Sequence, residues 1–552
     1  MKKFFTLFLF LTFAITSGLV AQERYLDEMF TEVNVTSNVI YGVNATVLLV
    51  PQTGEAVPIP LAMDIYEPVG DTETSRPLVL VYHTGNFLPN VLNAQISGTK
   101  TDSAVVEICT RLAKRGYVAA AVDYRTGWNP LAETQPIRAL GLIQAAYRGI
   151  QDGRNAVRFF RGDAEDGGNT FGIDPNKITA WGNGTGGYLT LGMATLNNYL
   201  EIPTAQNGPG KFVLDLDGDG VPETPMVVEP FHGDIYGLDL TVTPIEGFGL
   251  PAGDTTNYPN HVTYNSGDTI LSDVTLCVNI GGALADVSWI DDVTPPIITV
   301  QSVNDIFAPY DDATLIVPTT GDPIVRVQGG QKIHPAMQAL GTHDIFNNAF
   351  FDDAVTTTAI ANAATAGHDY WEGLFPWVQA PNSLGLDEGV VLDWWDPNAP
   401  APGAGMNIPW NLLPHPSGNG TYHEVGMFTN ENMSAEKAKG NITMVMDYTL
   451  PRMCVALDLP CADIYSSTNE VALDASVMSV FPNPVSTELN INAKDRIIQK
   501  VDILNVDGRL FTQKTAVNSS NVTISNNTLP SGIYFIKVYF EDGVATQRVI
   551  FE

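Results

Sequence analysis

A run of glycines at residues 182–187 constrains this 552-residue chain most. In the stretch ITAWGNGTGGYLTLG (178–192), four glycines follow an apolar segment and precede a second apolar segment. Because glycine lacks a Cβ, it allows a backbone to turn sharply and to pass close to its neighbours. The stretch therefore predicts a strand, a sharp turn and the start of a helix in direct succession.

The segments before this turn alternate between two kinds of secondary structure. LAMDIYEP (61–68) and RPLVLVYH (76–83) are apolar and rich in β-formers, whereas residues 103–114 and 140–161 carry apolar side chains at helical spacing. This alternation predicts an α/β fold with a largely parallel sheet and helices on both faces. Residues 197–272, rich in Gly, Pro, Asp and Thr, interrupt it, and we expect them to form an inserted lid over the end of the sheet.

The first 21 residues, MKKFFTLFLFLTFAITSGLVA, predict a secretory signal peptide. Lys2 and Lys3 precede a largely apolar run, and small residues follow up to a cleavage site near Ala21. The alternative is a membrane anchor, for which the run is short. No later stretch is long and apolar enough to span a bilayer, so we expect no transmembrane segment after cleavage.

Charge and cysteine content fit an exported protein. The net charge is −33 with only 28 Lys+Arg, and the sequence contains no basic cluster, which argues against a nucleic-acid partner. Cys454 and Cys461 are close in sequence, so an exported chain can join them in a local disulfide. Cys109 and Cys277 lie in apolar surroundings and are predicted to be buried thiols.

The end of the chain consists of short β-rich runs, which predict a small all-β sandwich at 479–552 after a linker at 464–478. It resembles, in motif order, the type A C-terminal sorting domain of the type IX secretion system, through FPNPVSTELNI, VDILNVDGR, LPSGIYFIKV and QRVIFE. The resemblance implies a Bacteroidota-like source, the type IX secretion machinery as partner, and export through the periplasm to the cell surface or the medium. The alternative, a carbohydrate-binding or adhesive sandwich, lacks an aromatic platform.

Four stretches of residues 22–463 resemble secreted α/β-hydrolases of the esterase/lipase class. They are MDIYEP with RPLVLVYHTGNF, LAKRGYVAAAVDYR, GIQDGRNAVRFFR with FGIDPNKITAWGNGTGG, and VNIGGALADVSWI with PPIITVQSVNDIFAPYDD. The family's Gly-x-Ser-x-Gly-Gly nucleophile elbow then falls on residues 182–187, and Gly184 stands where the serine belongs. Glycine cannot form an acyl-enzyme. Thr185 is a neighbouring hydroxyl that we expect to point in another direction.

The resemblance also implies the other parts of a catalytic site. QSVNDIFAPY places Asp305 as the acid that orients a histidine, the alternative being a surface-turn aspartate. His423 is the first choice for that histidine and His415 its rival, while either can be a structural loop residue. HTGNF resembles an oxyanion loop of HGGxF type, so we expect the N–H groups of Gly85, Asn86 and Thr185 to point at one spot.

The stretch DLDGDGVPE (215–223) predicts a calcium loop within the insertion. Asp215, Asp217 and Asp219 alternate along it, and Glu223 can complete a set of hard oxygen ligands. Three carboxylates this close repel one another unless a cation is present. The alternative is a solvated acidic turn.

Three functions remain open from the residues alone. The first is a catalytically impaired esterase-like protein that binds a small-molecule or polymer ester at the former active site. The second is a carboxylic-ester hydrolase that uses Thr185, or a water activated by His423 and oriented by Asp305. The third is a surface interaction protein that uses the fold as a scaffold. Loops at 197–272 and 345–422 would set the ligand, and they contain no interpretable motif.

Overall fold

The computed structural model describes residues 22–552 apart from 55, 166, 206–209, 216–217, 238–240, 243–254, 257–270, 306, 317–320, 402–406, 467–472, 506–509, 515–516, 526–529 and 541–542. The predicted signal peptide at 1–21 lies outside the described residues. The chain forms two compact units that divide between Asp463 and Ile464.

The first unit contains a large central sheet and several short strand pairs. Its strands are β1 (Val33–Thr46), β2 (Val57–Pro68), β3 (Arg76–Tyr82), β4 (Val118–Val122), β5 (Ile173–Asn183), β6 (Val213–Leu214), β7 (Thr224–Pro225), β8 (Thr241–Val242), β9 (Thr255–Thr256), β10 (Leu276–Ile280), β11 (Ile297–Ser302), β12 (Asp312–Ile316), β13 (Pro323–Gln328) and β14 (Leu374–Trp377).

The central sheet has eight strands in the order β1-β2-β4-β3-β5-β10-β11-β14. The six strands from β4 to β14 are parallel to one another, while β2 pairs antiparallel with both β4 and the edge strand β1. Every residue of β3 and β4 is buried, which explains why RPLVLVY and VAAAV are continuous apolar runs and not alternating ones. The predicted α/β fold with a largely parallel sheet is confirmed.

Helices connect and cover these strands. They are α1 (Val50–Thr53), α2 (Ser103–Lys114), α3 (Gln135–Glu165), α4 (Thr185–Thr195), α5 (Glu229–His232), α6 (Gly330–Leu340), α7 (Asp344–Asn347), α8 (Ala354–Ala366), α9 (Tyr422–Gly426), α10 (Ala435–Ala456) and α11 (Asp463–Ser466), the last at the boundary of the units. α2 packs on β4, and α4 packs on β5 and β10, the two strands that border the glycine turn. None of the described helices combines the length and the apolar character needed to cross a membrane.

The described parts of the insertion at 197–272 consist of short elements, among them the β6–β7 and β8–β9 pairs and α5. Ile202, Phe212, Val227 and Ile235 pack into the main hydrophobic core of the first unit. This part of the insertion is therefore anchored on the core. Its role as a lid stays a prediction, and much of the segment lies outside the described residues.

The cysteine predictions are confirmed. Cys454, near the end of α10, forms a disulfide with Cys461, with their Cα atoms 5.5 Å apart. Cys109 and Cys277 are free and buried. The bridge joins α10 to the 3₁₀ turn Pro460–Ala462 and so fixes the end of the first unit.

The second unit is all-β. Its strands are β15 (Ser479–Phe481), β16 (Glu488–Asn492), β17 (Lys500–Asn505), β18 (Leu510–Lys514), β19 (Asn521–Ser525), β20 (Gly532–Phe540) and β21 (Gly543–Phe551). They form one sheet in the order β15-β16-β19 and another in the order β18-β17-β20-β21. Buried side chains from both sheets, such as Leu489 and Ile536, form one core, as the prediction of a small β domain requires.

Candidate active site

The glycine turn has the predicted form of an elbow. β5 ends at Asn183, α4 begins at Thr185, and Gly184 between them has φ 53° and ψ −114°, a conformation that side-chain-bearing residues rarely adopt. The Gly184 N–H donates to the Ile280 carbonyl at 2.7 Å. A Cβ added at Gly186 would overlap the Tyr82 carbonyl oxygen, so the close approach of the helix to β3 requires glycine there.

Thr84 fills the space beside the elbow that a side chain at Gly184 would need. A Cβ built on Gly184 would overlap the Thr84 hydroxyl and would lie 3.0 Å from the Thr84 Cβ. Thr84 stands in HTGNF where the HGGxF pattern has its first glycine. The threonine in place of this glycine is the sequence feature that could have predicted the contact, but the sequence analysis did not use it.

Two of the N–H groups expected to hold an oxyanion, those of Asn86 and Thr185, face threonine hydroxyls of the protein. The Asn86 N–H donates to the Thr185 hydroxyl at 2.8 Å, and the Thr185 N–H faces the Thr84 hydroxyl at 3.5 Å. The expectation that the N–H groups of Gly85, Asn86 and Thr185 point at one spot therefore needs correction for Asn86 and Thr185, whose N–H groups face two different hydroxyls. The cause is the pair of threonine hydroxyls, which face these two N–H groups.

Asp305 lies just after β11, close to the elbow. A Cβ added at Gly281, the residue after β10, would lie 3.9 Å from Asp305 Oδ2, while Oδ1 accepts the N–H groups of Phe307 at 2.8 Å and Ala308 at 2.9 Å. Loss of hydration in the wall of the site raises the pKa of Asp305 to about 6, and the two N–H donors only partly oppose that rise. Asp305 is thus a half-buried carboxyl that faces a cavity.

The two candidate histidines have other partners. His423 Nδ1 accepts the indole N–H of Trp395 at 3.1 Å, and His415 Nε2 lies 3.0 Å from the Ala94 carbonyl oxygen. Within the described part of the chain, no histidine is hydrogen-bonded to Asp305. The structure brings Asp305 to the elbow, as the sequence suggested, but it does not join it to a histidine.

A cavity of about 680 Å³ opens beside Gly184. Thr84, Asn86, Thr185 and Asp305 supply polar groups to its wall, and His415 also lines it. Its apolar wall comes from two separate hydrophobic clusters. The main core contributes side chains that include Phe87, Leu142, Ile150, Phe212 and Trp289, and the smaller cluster contributes Ile96, Trp395 and Tyr422.

A buried group of ionisable residues near this cavity was missed by the sequence analysis. Asp393 lines the cavity and accepts the Ala104 N–H at 3.0 Å, and burial raises the pKa of both Asp393 and its neighbour Asp102. His83 stacks on Tyr124 and lies 3.5 Å from Asp123. These residues come from distant parts of the chain, so no local sequence pattern predicts that they lie together.

Three of the four predicted calcium ligands lie together. Oxygen atoms of Asp215, Asp219 and Glu223 lie within 4.8 Å of one another, and Asp217 is outside the described residues. Asp215 also accepts the N–H groups of Gly218 and Gly220, which close the loop between β6 and β7. The donor set suits a hard cation, and the calcium site stays a prediction.

Comparisons with known proteins follow the same division of the chain. Residues 63–212 match the family BD-FAE, and residues 479–552 match the family described as secretion system C-terminal sorting domain. No curated protein matches the chain.

Solved structures of an esterase from Thermogutta terrifontis are similar to this chain at low identity. Esterase 2 phosphorylated by paraoxon is 16% identical over 58% of this chain and 82% of that chain, with a TM-score of 0.27. The propionate-bound form, described as a novel thermophilic esterase from a Planctomycetes species, is 16% identical over 58% of this chain and 83% of that chain, with a TM-score of 0.27. Together with the observed fold, the family matches identify a BD-FAE domain, an esterase-like α/β-hydrolase, followed by a type IX secretion sorting domain that implies export to the cell surface or the medium.

Proposed function

We propose that this exported esterase-like protein binds an apolar small molecule in the cavity beside Gly184 and does not operate the serine mechanism of its fold. The observation that carries the proposal is Gly184 itself. It holds the elbow conformation without a side chain, and the Thr84 hydroxyl fills the space next to it. Without a nucleophile at this point an acyl-enzyme cannot form.

The cavity supports the binding part of the proposal. Its volume of about 680 Å³ lies in the range of small-molecule sites, which typically combine apolar walls with a few polar groups. Trp289 and Trp395 stand in opposite hydrophobic clusters of its wall. Filling such a cavity removes a large apolar surface from water, which favours an apolar ligand.

The alternative of an active ester hydrolase receives less support. The Thr185 hydroxyl accepts the Asn86 N–H, and His423 Nδ1 accepts the Trp395 indole N–H. A nucleophilic hydroxyl or water needs an adjacent base. In the described residues neither candidate histidine reaches Asp305 by a hydrogen bond.

A paired assay of binding and turnover tests the proposal. We expect N-phenyl-1-naphthylamine, a neutral apolar fluorophore, to bind saturably, p-nitrophenyl butyrate to stay intact above background, and a fluorophosphonate probe to leave the protein unlabelled. Turnover together with phosphonate labelling would show that a nucleophile is present and would overturn the catalytic part. Turnover without labelling would favour the alternative in which a water is activated. Absence of saturable fluorophore binding would overturn the binding part.

A cavity-filling substitution tests whether the fluorophore binds in the cavity beside Gly184. Ala146 of α3 lines the cavity, so Ala146→Phe should weaken fluorophore binding by at least tenfold. Ile137, on the same helix, is 41% exposed and outside the cavity wall, so Ile137→Phe should leave binding unchanged. Equal affinities of the two variants would place the bound fluorophore elsewhere.

A further inference from the structure

Two hydroxyl groups, one in the elbow and one in the loop after β3, lie beside the N–H groups that a working esterase of this fold directs at a ligand oxygen. In the α/β-hydrolase arrangement, the N–H of the residue after the nucleophile and an N–H of the loop after the third strand hold the developing oxyanion. Here those positions belong to Thr185, directly after Gly184, and to Asn86, in the loop after β3.

Both N–H groups already face oxygen atoms of the chain. The Asn86 N–H donates to Thr185 Oγ1 at 2.8 Å, a normal hydrogen bond. The Thr185 N–H lies 3.5 Å from Thr84 Oγ1, at the outer limit of hydrogen bonding. The two hydroxyls thus face the N–H groups that would hold the oxygen of a bound ester.

Of the two threonines, Thr84 is the more exposed. Its side chain is half-buried in the cavity wall, whereas Thr185 is 6% exposed at the start of α4. A ligand carbonyl that displaced the Thr84 hydroxyl would exchange one oxygen acceptor for another. Such an exchange adds little net affinity, because the donor was satisfied before the ligand arrived.

We propose that Thr84 and Thr185 make this cavity indifferent to a ligand carbonyl, so that its natural ligand is a neutral apolar molecule recognised by its hydrocarbon or aromatic surface. This inference rests on the proposed function, since it concerns the same cavity. It assigns Thr84 the role of a specificity-determining residue: its hydroxyl closes the oxygen subsite and leaves the apolar walls as the recognition surface.

Two probes that differ only in the carbonyl test the inference. Phenyl octanoate and octyl phenyl ether have the same chain and ring, but only the ester carries a carbonyl oxygen. Dissociation constants come from quenching of tryptophan fluorescence, because Trp128, Trp289 and Trp395 line the cavity. We expect the wild-type protein to bind both probes with constants that agree within about twofold, since neither gains a hydrogen bond.

Variants at Thr84 reveal the closed subsite. Thr84→Gly removes the hydroxyl and opens the space beside Gly184, so the ester should bind about fivefold to tenfold more tightly than the ether, the gain of one hydrogen bond. Thr84→Ser keeps the hydroxyl and should behave as the wild type. Thr195→Ala, in the same helix as Thr185 but outside the cavity wall, controls for threonine truncation.

Each remaining outcome decides against a specific statement. A wild-type preference for the ester above about twofold overturns the inference, as does a Thr84→Gly protein that melts cooperatively yet shows no preference. A Thr84→Ser protein that behaves like Thr84→Gly also overturns it. Failure of both probes to bind any variant removes the proposed function and this inference with it, and release of phenol from the ester removes the catalytic part of the proposed function alone.

Discussion

At residue scale, the elbow combines a glycine where the α/β-hydrolase pattern has its serine with a threonine hydroxyl next to that glycine. Gly184 keeps the elbow conformation, and Thr84 places a hydroxyl against it from the loop after β3. Asp305 stays beside the elbow without a described histidine as partner. The site therefore combines the backbone turn of a nucleophile elbow with a glycine at its tip and a carboxyl group beside it.

The contact between Gly184 and Thr84 predicts coupling between substitutions at these two positions. Gly184→Ser should destabilise the first unit by about 2–4 kcal/mol. The serine side chain would collide with the Thr84 hydroxyl, and its backbone would have to keep a positive φ. In the double variant with Thr84→Gly, part of this cost should disappear, with a coupling energy of about 1–2 kcal/mol. Urea unfolding of both single variants and the double variant measures it, and additive effects within about 0.3 kcal/mol would contradict the contact.

The raised pKa of Asp305 predicts a pH-dependent stability. Its pKa is about 6 when folded, above the unfolded value of about 3.9, so its contribution to stability is largest at acid pH and is lost as pH rises through 6. Asp305→Asn should remove this loss, so the stability of the variant relative to wild type should rise by about 1 kcal/mol between pH 5 and pH 7.5. Urea unfolding at both pH values checks it, with the exposed Asp352→Asn as control. A difference that does not change with pH would contradict the burial of Asp305.

At the scale of elements, two short connections of the first unit hold nearby segments together. The β6–β7 hairpin holds Asp215, Asp219 and Glu223 together, and the Cys454–Cys461 bridge holds the end of α10. Both features join segments close in sequence. Their contributions to stability are therefore separable from the packing of the central sheet.

The hairpin predicts stabilisation by calcium. An ion that binds only the folded state at about one hundred times its Kd adds about 2.7 kcal/mol. Thermal melts of the first unit in CaCl₂ should therefore lie above those in EDTA, and Asp219→Asn should abolish most of the difference. Asp352→Asn, an exposed aspartate away from the cluster, should keep it. Superimposable wild-type melts in CaCl₂ and in EDTA would contradict a calcium site in the β6–β7 loop.

The disulfide predicts a modest, local gain in stability. It closes a loop with a sequence separation of 7, for which chain entropy gives about 2–3 kcal/mol. Replacing both Cys454 and Cys461 by alanine should lower the free energy of unfolding of the first unit by about this amount. Reduced wild-type protein should match the double variant. A loss in the variant but not on reduction would indicate a packing effect in place of the bridge.

At the scale of the whole molecule, the chain separates the unit that contains the cavity from a secretion sorting domain. The division between Asp463 and Ile464 leaves each unit with its own hydrophobic core. The match of residues 479–552 to a secretion sorting domain implies that the second unit serves export. The cavity lies entirely within the first unit.

This division predicts that export and binding can be removed independently. A variant that ends at residue 463 should melt cooperatively and bind the neutral fluorophore, but in a host with type IX secretion it should accumulate in the periplasm. Cell fractionation and fluorescence titration measure the two properties. Secretion of the truncated protein as efficiently as the full-length protein would contradict the sorting role, and loss of binding would contradict the independence of the first unit.

The sequence by itself determined the features that depend on local pattern. A continuous apolar run predicted β3, helical spacing predicted α2, and four nearby glycines predicted the elbow, because each rests on neighbouring residues. Only the tertiary structure decided the contents of the site. Thr84 and Gly184 are 100 positions apart, and Asp305 lies far along the chain from either candidate histidine. Their contacts arise when parallel strands bring their ends to one edge of the sheet, and side-chain packing there determines which donors stay free.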